Sequence, residues 1–298
     1  MALRDSGKVV VEVGVNEVAF RDEARHIPYT PEEVAPDVVA CGRAGVTLAH
    51  FHARYGDGRQ AWLDTAITGE VLDRVREETD LLSYPSYHRS LDLVWELAKD
   101  GRLEIGPFDP VQHVRRVLWQ EETNDFGVVT FGPDDPERDR PPYPPELDRF
   151  ADLNVVPNVA IFSVSDLRWV LLAARAGLFR QPLNLKMFFS DRWVSNNEPD
   201  PAILDFLLSR IPSGIDTEIV VAPYAMSSID RCEALWDAAL DRGLGVRTGL
   251  GDTPLLFPDD TNVALAERLI ERVRKHRLEP ATTAELRERC GLTAGAAR

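Results

Sequence analysis

Apolar strand-like segments alternate with helix-like segments along almost the whole chain, and this alternation constrains the fold more than any other feature. The strand-like segments are nearly continuous apolar runs, which is typical of parallel strands that are covered on both faces. About eight strand-to-helix units fit a closed (β/α)8 barrel better than an open doubly wound sheet. We therefore predict an α/β fold with a single domain, a TIM barrel over residues 1–298.

The boundaries of these units follow from the apolar runs and from helix start and stop signals. The predicted strands lie at 9–16, 46–53, 81–86, 102–108, 155–162, 183–189, 217–222 and 245–248. The predicted helices lie at 31–44, 64–78, 90–100, 166–176, 201–211, 228–242 and 261–276, followed by a short helical tail at 282–289. Thr30 can cap the first helix, with Pro31 and Glu33 in its first turn, and Gly45 then ends it.

The stretch 109–150 does not follow the alternation. It contains a helical candidate at 110–121, a strand-like run at 126–131 and a Pro-rich acidic loop from Pro133 to Pro145. The sequence therefore does not decide whether the fourth barrel strand ends at Asp109 or at Thr130. The loop is either a lid over the site or a solvated excursion, and the frequent role of long loops in function favours a lid.

Composition excludes several classes of function. The net charge is −15, from 49 acidic against 34 basic residues, which disfavours nucleic-acid binding. No segment is long and apolar enough to span a membrane, and residues 1–8 contain no apolar core of a secretory signal. The three cysteines are scattered, so a disulfide framework is not expected. We expect a cytoplasmic protein.

The most informative motif is the pair His50 and His52 at the end of the second predicted strand. Residues i and i+2 of a strand point to the same face, about 7 Å apart, so the two imidazoles can share one divalent cation. Zinc, nickel, cobalt and manganese are all admissible. The alternative is that one histidine is hydrogen-bonded in the core and the other caps the strand.

Carboxylates near the other strand ends are candidates for a third metal ligand. These are Glu12, Glu17 and Asp252. Glu12 lies inside an apolar strand, where it needs a partner, so it is either a ligand or half of an ion pair. Glu17 is either a substrate contact or exposed to solvent.

The segment RTGLGD places Arg247 and Asp252 at the end of the eighth predicted strand. A buried arginine can orient the carboxylate as a base or help to anchor an anionic substrate. Taken alone, the segment fits a structural salt bridge with a glycine turn slightly better than it fits a role in catalysis or substrate binding.

These motifs together resemble the β-keto acid cleavage enzymes. The resemblance rests on VVVEVGVNE at 9–17, PYTPEEVAPDVVACGRAGVTLAHFHAR at 28–54, NVVP at 154–157 and RTGLGD at 247–252. It implies a barrel with a divalent metal, usually zinc, that converts a β-keto acid and acetyl-CoA into acetoacetate and a new CoA thioester. It also implies a homotetramer or homodimer.

The resemblance also implies roles for particular residues. His50 and His52 match the metal-binding pair, Glu17 an acidic substrate contact, Ser83 a serine after the third strand, and Arg247 with Asp252 the general-base pair. The acetyl-CoA phosphates need basic groups, for which Arg54, Arg89 and Arg192 are candidates.

Three departures from the family pattern concern the site. Gly251 stands where the third metal ligand, a glutamate, is usual; Ala160 replaces an acidic residue; and Val128 and Thr130 replace a threonine and an asparagine. Metal binding should weaken unless Glu12, Glu17 or water substitutes, and the accepted β-keto acid should differ. Two other functions stay open, a non-catalytic ligand-binding barrel and a metal-dependent hydrolase or lyase that does not use CoA.

Overall fold

The structure is a computed structural model that describes residues 2–292, apart from 89, 113, 115, 136–138, 140, 145 and 146. An eight-stranded parallel sheet forms its centre. These strands are β2 (Val11–Gly14), β3 (Leu48–Phe51), β4 (Leu82–Pro85), β5 (Ile105–Phe108), β8 (Val156–Ile161), β9 (Leu183–Phe189), β10 (Thr217–Pro223) and β11 (Gly245–Thr248). Their order is β4-β3-β2-β11-β10-β9-β8-β5, and β4 packs beside β5. The sheet is therefore a nearly closed barrel, which confirms the predicted fold class.

Helices cover the outside of the barrel and alternate with its strands, as the sequence predicts. They are α1 (Pro31–Ala44), α2 (Thr65–Glu78), α3 (Asp92–Lys99), α4 (Asp148–Asp152), α5 (Val164–Arg175), α6 (Pro201–Ser209), α7 (Ile229–Leu240) and α8 (Asn262–Lys275). The predicted bounds of α1 agree with the structure: Glu33 accepts the backbone N–H of Thr30, and Gly45 follows with a φ of 108°. No helix of the described residues is long and apolar enough to cross a membrane.

The N-terminal end of the barrel is covered by the chain termini. Strand β1 (Lys8–Val9) pairs with β12 (Glu279–Pro280), and α9 (Thr283–Arg289) follows. Arg287 forms an ion pair with Glu104, and Arg289 with Glu218. Because these acidic partners lie at the start of β5 and β10, the open mouth is at the opposite, C-terminal end of the strands.

The prediction of a helix at 110–121 is wrong. Pro110–Gln112 is only a turn of 3-10 helix, and β6 (Val117–Gln120) pairs antiparallel with β7 (Asp125–Val128). Trp119 packs on Phe126, which stacks on Trp169 of α5. The aromatic side chains of this hairpin therefore pack on one side against the helix layer, a pattern that the sequence periodicity did not reveal.

The hairpin also settles which residue follows the fourth barrel strand. That strand is β5, so Asp109 follows it, while Val128 lies in β7 and Thr130 beyond it, outside the barrel. The alignment of Val128 and Thr130 with polar residues of the mouth is therefore wrong. The loop from Pro133 to Pro145 lies partly outside the described residues, and its role as a lid stays a prediction.

Candidate active site

Arg247 lies at the centre of a buried ionic cluster inside the barrel. Its neighbour across the sheet is Glu12 of β2, whose Oε1 accepts a hydrogen bond from Nη1 at 2.6 Å. Asp252 accepts from Nε and Nη2 at 2.7–3.1 Å, and Glu17 accepts from Nη2. One guanidinium therefore fixes carboxylates from three segments of the chain relative to one another.

The opposite wall of the barrel contributes a second cation, Lys186 of β9. Its Nζ lies 3.1 Å from Glu12 Oε1 and donates to the hydroxyl of Tyr84, which in turn donates to Glu12 at 2.6 Å. Asn158 donates to the same hydroxyl at 2.9 Å. Burial alone would raise the pKa of Glu12, but Lys186 and Arg247 outweigh it and lower that pKa to about 2.

His50 and His52 point to the same face, as predicted, and meet Glu17 there. Glu17 Oε1 lies 3.3 Å from His50 Nε2, and Oε2 lies 2.9 Å from His52 Nε2. The three side chains are buried, and one ligand atom from each lies within 4.8 Å of the others. Two imidazoles and one carboxylate are a donor set that divalent transition metals accept.

The hydrogen bonds around His52 test whether a cation fits here. Gln60 Nε2 donates to the backbone oxygen of Glu17 at 2.9 Å, so Gln60 Oε1, 3.1 Å from His52 Nδ1, accepts the proton of that nitrogen. His52 Nε2 is then an acceptor that faces the carboxylate oxygen of Glu17. Two acceptors at 2.9 Å require a cation or a proton between them.

The pKa values of the two histidines favour uncharged imidazole rings. Burial and the nearby Lys186 lower the pKa of His50 to about 3. Burial lowers the pKa of His52 well below its ordinary value, and the nearby Arg54 guanidinium adds to this. Both imidazoles are therefore neutral at pH 7, which is the form that binds metals, so the residues fit a divalent ion.

Glu17 occupies its position because residue 251 is glycine. A Cβ atom at Gly251 would lie 2.6 Å from the backbone nitrogen of Glu17 and 2.7 Å from its Cγ. Glu17 itself has a φ of 35°, in the left-handed region. Arg54 holds this backbone by donating to the oxygens of Asn16 and Glu17 at 3.1 and 2.5 Å. The loop is thus built to carry a carboxylate into the space that Gly251 leaves.

Asp252 has the properties of a base that is held in one orientation. Burial raises the pKa of its carboxyl above the ordinary value, while the Arg247 guanidinium opposes this rise. Asp252 and its neighbour Gly251 also line a cavity of about 410 Å³ at the mouth. The residue therefore borders the space that a ligand can enter.

The strand ends opposite the ionic cluster form an aromatic row, which we define as Phe162, Phe188, Tyr224 and Trp193. Neighbouring ring centroids are 4.8, 5.4 and 5.0 Å apart along this row. Ala160 and Ala222 pack beside it. Trp193 and Tyr224 also line the cavity that contains Asp252.

The structure does not bring every predicted residue to this site. Ser83 pairs with Ala49, whereas the next residue, Tyr84, pairs with His50 and faces the barrel interior. Because alternate strand residues point to opposite faces, Ser83 points towards the helices, and Ser86 shares the side of Tyr84.

The candidate CoA-binding arginines also differ from one another in position. Arg54 is buried and bonded to backbone oxygens, so it is not free for phosphate, whereas Arg192 lines the cavity beside Asp252. Arg89 lies outside the described residues.

Residues that the sequence did not single out are Lys186, Tyr84 and Gln60. A lone lysine within the apolar run LNLKMFF is the same signal that drew attention to Glu12, and it could have identified Lys186. Tyr84 and Gln60 carry no comparable signal, because tyrosine and glutamine are common in strands and loops of any function.

Comparisons with known proteins agree with this architecture. A family model described as beta-keto acid cleavage enzyme matches residues 8–292. The 3-dehydrocarnitine:acetyl-CoA trimethylamine transferase of Rhizobium meliloti (strain 1021) is 23% identical over 284 residues, 91% of this chain and 92% of that protein.

Solved structures show the same fold. Apo ObcA has a TM-score of 0.66 at 16% identity over 90% of this chain and 66% of ObcA, so this chain spans about two thirds of its length. The ternary complex of ObcA with C4-CoA adduct and oxalate has a TM-score of 0.64 at 16% identity, over 90% of this chain and 68% of that one.

Proposed function

This chain belongs to the β-keto acid cleavage enzyme family, and from this premise we propose that it is a metal-dependent transferase that acts on a β-keto acid and acetyl-CoA. The products are acetoacetate and a new CoA thioester. A single observation carries the proposal: the neutral pair His50 and His52 faces Glu17 beside the Arg247–Asp252 pair at the barrel mouth.

The proposed reaction exchanges two acyl groups. Asp252, oriented by Arg247, takes a proton from C2 of the β-keto acid, and C2 then attacks the acetyl carbon of acetyl-CoA. The CoA thiolate leaves and adds to the original C3 keto carbon. The C2–C3 bond breaks, the new thioester departs, and Asp252 returns its proton to C2, which now belongs to acetoacetate.

We propose that His50, His52 and Glu17 hold the divalent metal. Glu17 then takes the place of the glutamate ligand that is usual in the family at the position of Gly251. A bound divalent cation would polarise the keto oxygen and stabilise negative charge on the substrate. The charges of the cluster support this proposal. Lys186 and Arg247 face the carboxylates of Glu12, Glu17 and Asp252, so the cluster has an excess of negative charge that a divalent cation reverses.

An isotope experiment tests the reaction. Zinc-loaded protein is incubated with acetyl-CoA labelled with ¹³C in its acetyl group and with a panel of β-keto acids, and the products are measured by mass spectrometry. We expect labelled acetoacetate and an unlabelled acyl-CoA in equal amounts. Cleavage of the keto acid without CoA would instead indicate a hydrolase or lyase. No turnover, together with less than about a tenth of an equivalent of metal, would indicate a binding protein.

A second experiment tests the metal ligands without relying on turnover. In Gly251→Ala the new methyl group displaces Glu17, so we expect the bound metal, measured by elemental analysis, to fall. Gly214→Ala is the matched control, because a Cβ there meets no atom within 4 Å. Full metal content in Gly251→Ala would contradict Glu17 as the third ligand.

A further inference from the structure

The strand ends that carry the aromatic row present apolar and aromatic side chains to the mouth. The mouth-facing residues at the ends of β8, β9 and β10 are Ala160, Phe162, Phe188, Ala222 and Tyr224. Ala160 is the direct neighbour of Lys186 across the sheet. An apolar group that enters this half of the mouth therefore contacts rings and methyl groups, and the ammonium group of Lys186 lies deeper in the barrel.

The ring of Phe188 already lies close to two cations. Lys186 Nζ is 5.3 Å from its centroid, and the Cζ atom of Arg247 is 5.6 Å from it. An aromatic face attracts cations, but these two occupy that interaction at Phe188. A third positive charge over the same ring would be repelled by both cations.

The cavity beside the row gives the apolar group room. Its volume of about 410 Å³ exceeds that of a small branched alkyl or phenyl group, and Trp193, Tyr224 and Met226 form apolar parts of its wall. Its rim carries one charge of each sign, Arg192 and Glu23. Asp252, in the same wall, is already paired with Arg247. Arg192 offsets Glu23 on this rim, so the cavity carries no net negative charge that favours a cationic group over a neutral one.

We propose, resting on the function proposed above, that the variable end of the β-keto acid lies along the aromatic row and is uncharged and apolar. The carboxylate and keto groups of the acid lie towards the ionic cluster, where the proton is moved. This inference names a substrate class, β-keto acids with branched alkyl or aryl ends, in preference to those that end in an ammonium group.

A pair of isosteric substrates tests this inference directly. The acid 5,5-dimethyl-3-oxohexanoate ends in a tert-butyl group, and its analogue with nitrogen in place of the quaternary carbon ends in a trimethylammonium group of the same shape. We expect kcat/KM to be about tenfold higher for the neutral acid, since the cation loses hydration and is repelled by Lys186 and Arg247. A ratio below about three, by the same argument, overturns the inference.

Two single-residue variants test whether the preference for the neutral acid arises in the aromatic row. Trp193→Ala should lower kcat/KM for the tert-butyl acid about fivefold, through lost apolar contact, and should change the value for the small substrate 3-oxopentanoate much less. Phe206→Ala is the control, because Phe206 is a similarly exposed aromatic residue (49% against 43%) on α6, outside the barrel mouth. Equal losses for both acids in Trp193→Ala would contradict the proposed position of the variable end.

A binding measurement separates this inference from the function on which it rests. Each acid is titrated into zinc-loaded protein in the absence of acetyl-CoA, and its Kd is measured by calorimetry. Tighter binding of the neutral acid, followed by no thioester product when acetyl-CoA is added, would contradict the proposed function and support the substrate class. Turnover with a preference for the cationic acid would support the function and overturn the substrate class.

Discussion

The two halves of the barrel mouth are built from the same strand-to-helix units but are stabilised in different ways. On β2, β3 and β11, buried charged and polar groups hold one another, with Arg247 bound to three carboxylates. On β8 and β9, Asn158 and Lys186 still join this cluster from below, but rings and alanines fill the positions nearer the mouth on β8, β9 and β10. The ionic half depends on every partner being present, whereas the aromatic half depends on volume and shape.

This difference predicts that single substitutions have unequal costs in the two halves. Removal of one member of the ionic half leaves an opposite charge buried, which costs more free energy than the group contributed. In the aromatic half, a somewhat smaller apolar side chain leaves only a partly filled space.

The substitution Asp252→Asn removes the proposed base and keeps the shape of the side chain. We expect kcat/KM to fall by about 10³-fold, since general-base catalysis contributes that much, with little change in metal content. Asp241→Asn, on the outer surface, is the control and should retain activity. A loss of less than tenfold in Asp252→Asn would exclude Asp252 as the base.

The substitution Lys186→Met removes the cation that faces Glu12 and Tyr84. We expect the free energy of unfolding, measured by urea denaturation without metal, to fall by about 3 kcal/mol because the carboxylate loses a partner. The double variant Lys186→Met with Glu12→Gln should lose less than the sum of the two single variants. Strict additivity would show that the two residues do not interact.

The pH dependence of the unfolding free energy should reveal the lowered pKa of Glu12. Its pKa is lowered from 4.5 to about 2, so the folded state binds its proton less readily than the unfolded state. The resulting contribution, about 3 kcal/mol, is complete above pH 4.5 and is lost as the pH falls towards 2. Glu12→Gln should flatten the stability curve over this interval in urea titrations. An unchanged slope would show that Glu12 has its ordinary pKa in the folded protein.

Gln60 orients the ring of His52, so its loss should affect metal affinity more than stability. We expect Gln60→Ala to weaken zinc binding about 10- to 100-fold in a competition assay with a chelator, as for other residues that orient metal ligands. Gln181→Ala is the control, because Gln181 makes a comparable hydrogen bond with the backbone of Asp216 far from the mouth. Equal zinc affinity in the two variants would contradict the role of Gln60.

The smallest effect is expected in the aromatic half. Phe162 is half-buried and stacks on Phe188 at 4.8 Å, so Phe162→Leu keeps most of the apolar contact. We expect a loss of about 1 kcal/mol in unfolding free energy and a change of no more than about threefold in kcat/KM for the tert-butyl acid. A loss as large as that of Lys186→Met would remove the distinction between the two halves.

Sequence reasoning found most of the ionic half because its members carry local signals. His50 and His52 are spaced for one face of a strand, and Glu12 is a charge within an apolar run. The position of Ser83 was harder to predict, since the sequence does not reveal which of Ser83 and Tyr84 faces the interior of the barrel. That choice depends on the register of β4 against β3.

The stretch after β5 shows a second limit of sequence reasoning. Residues 110–121 have a composition compatible with a helix, but the hairpin of β6 and β7 forms because Phe126 packs against Trp169 of α5. Packing against a residue more than 40 positions away is invisible to a local pattern, and it can override helix propensity.

The alternation of apolar strands and helices is enough to specify the barrel, since such a chain has few other ways to bury both faces of a parallel sheet. The spacing of His50 and His52 is likewise enough to put two imidazoles on one face, because that depends only on the geometry of a strand. The meeting of Glu17 with those imidazoles depends instead on the folded chain, through contacts between the backbone around Glu17, Gly251 and Arg54. These groups are far apart in the chain, and only closure of the barrel brings them within a few ångströms of one another.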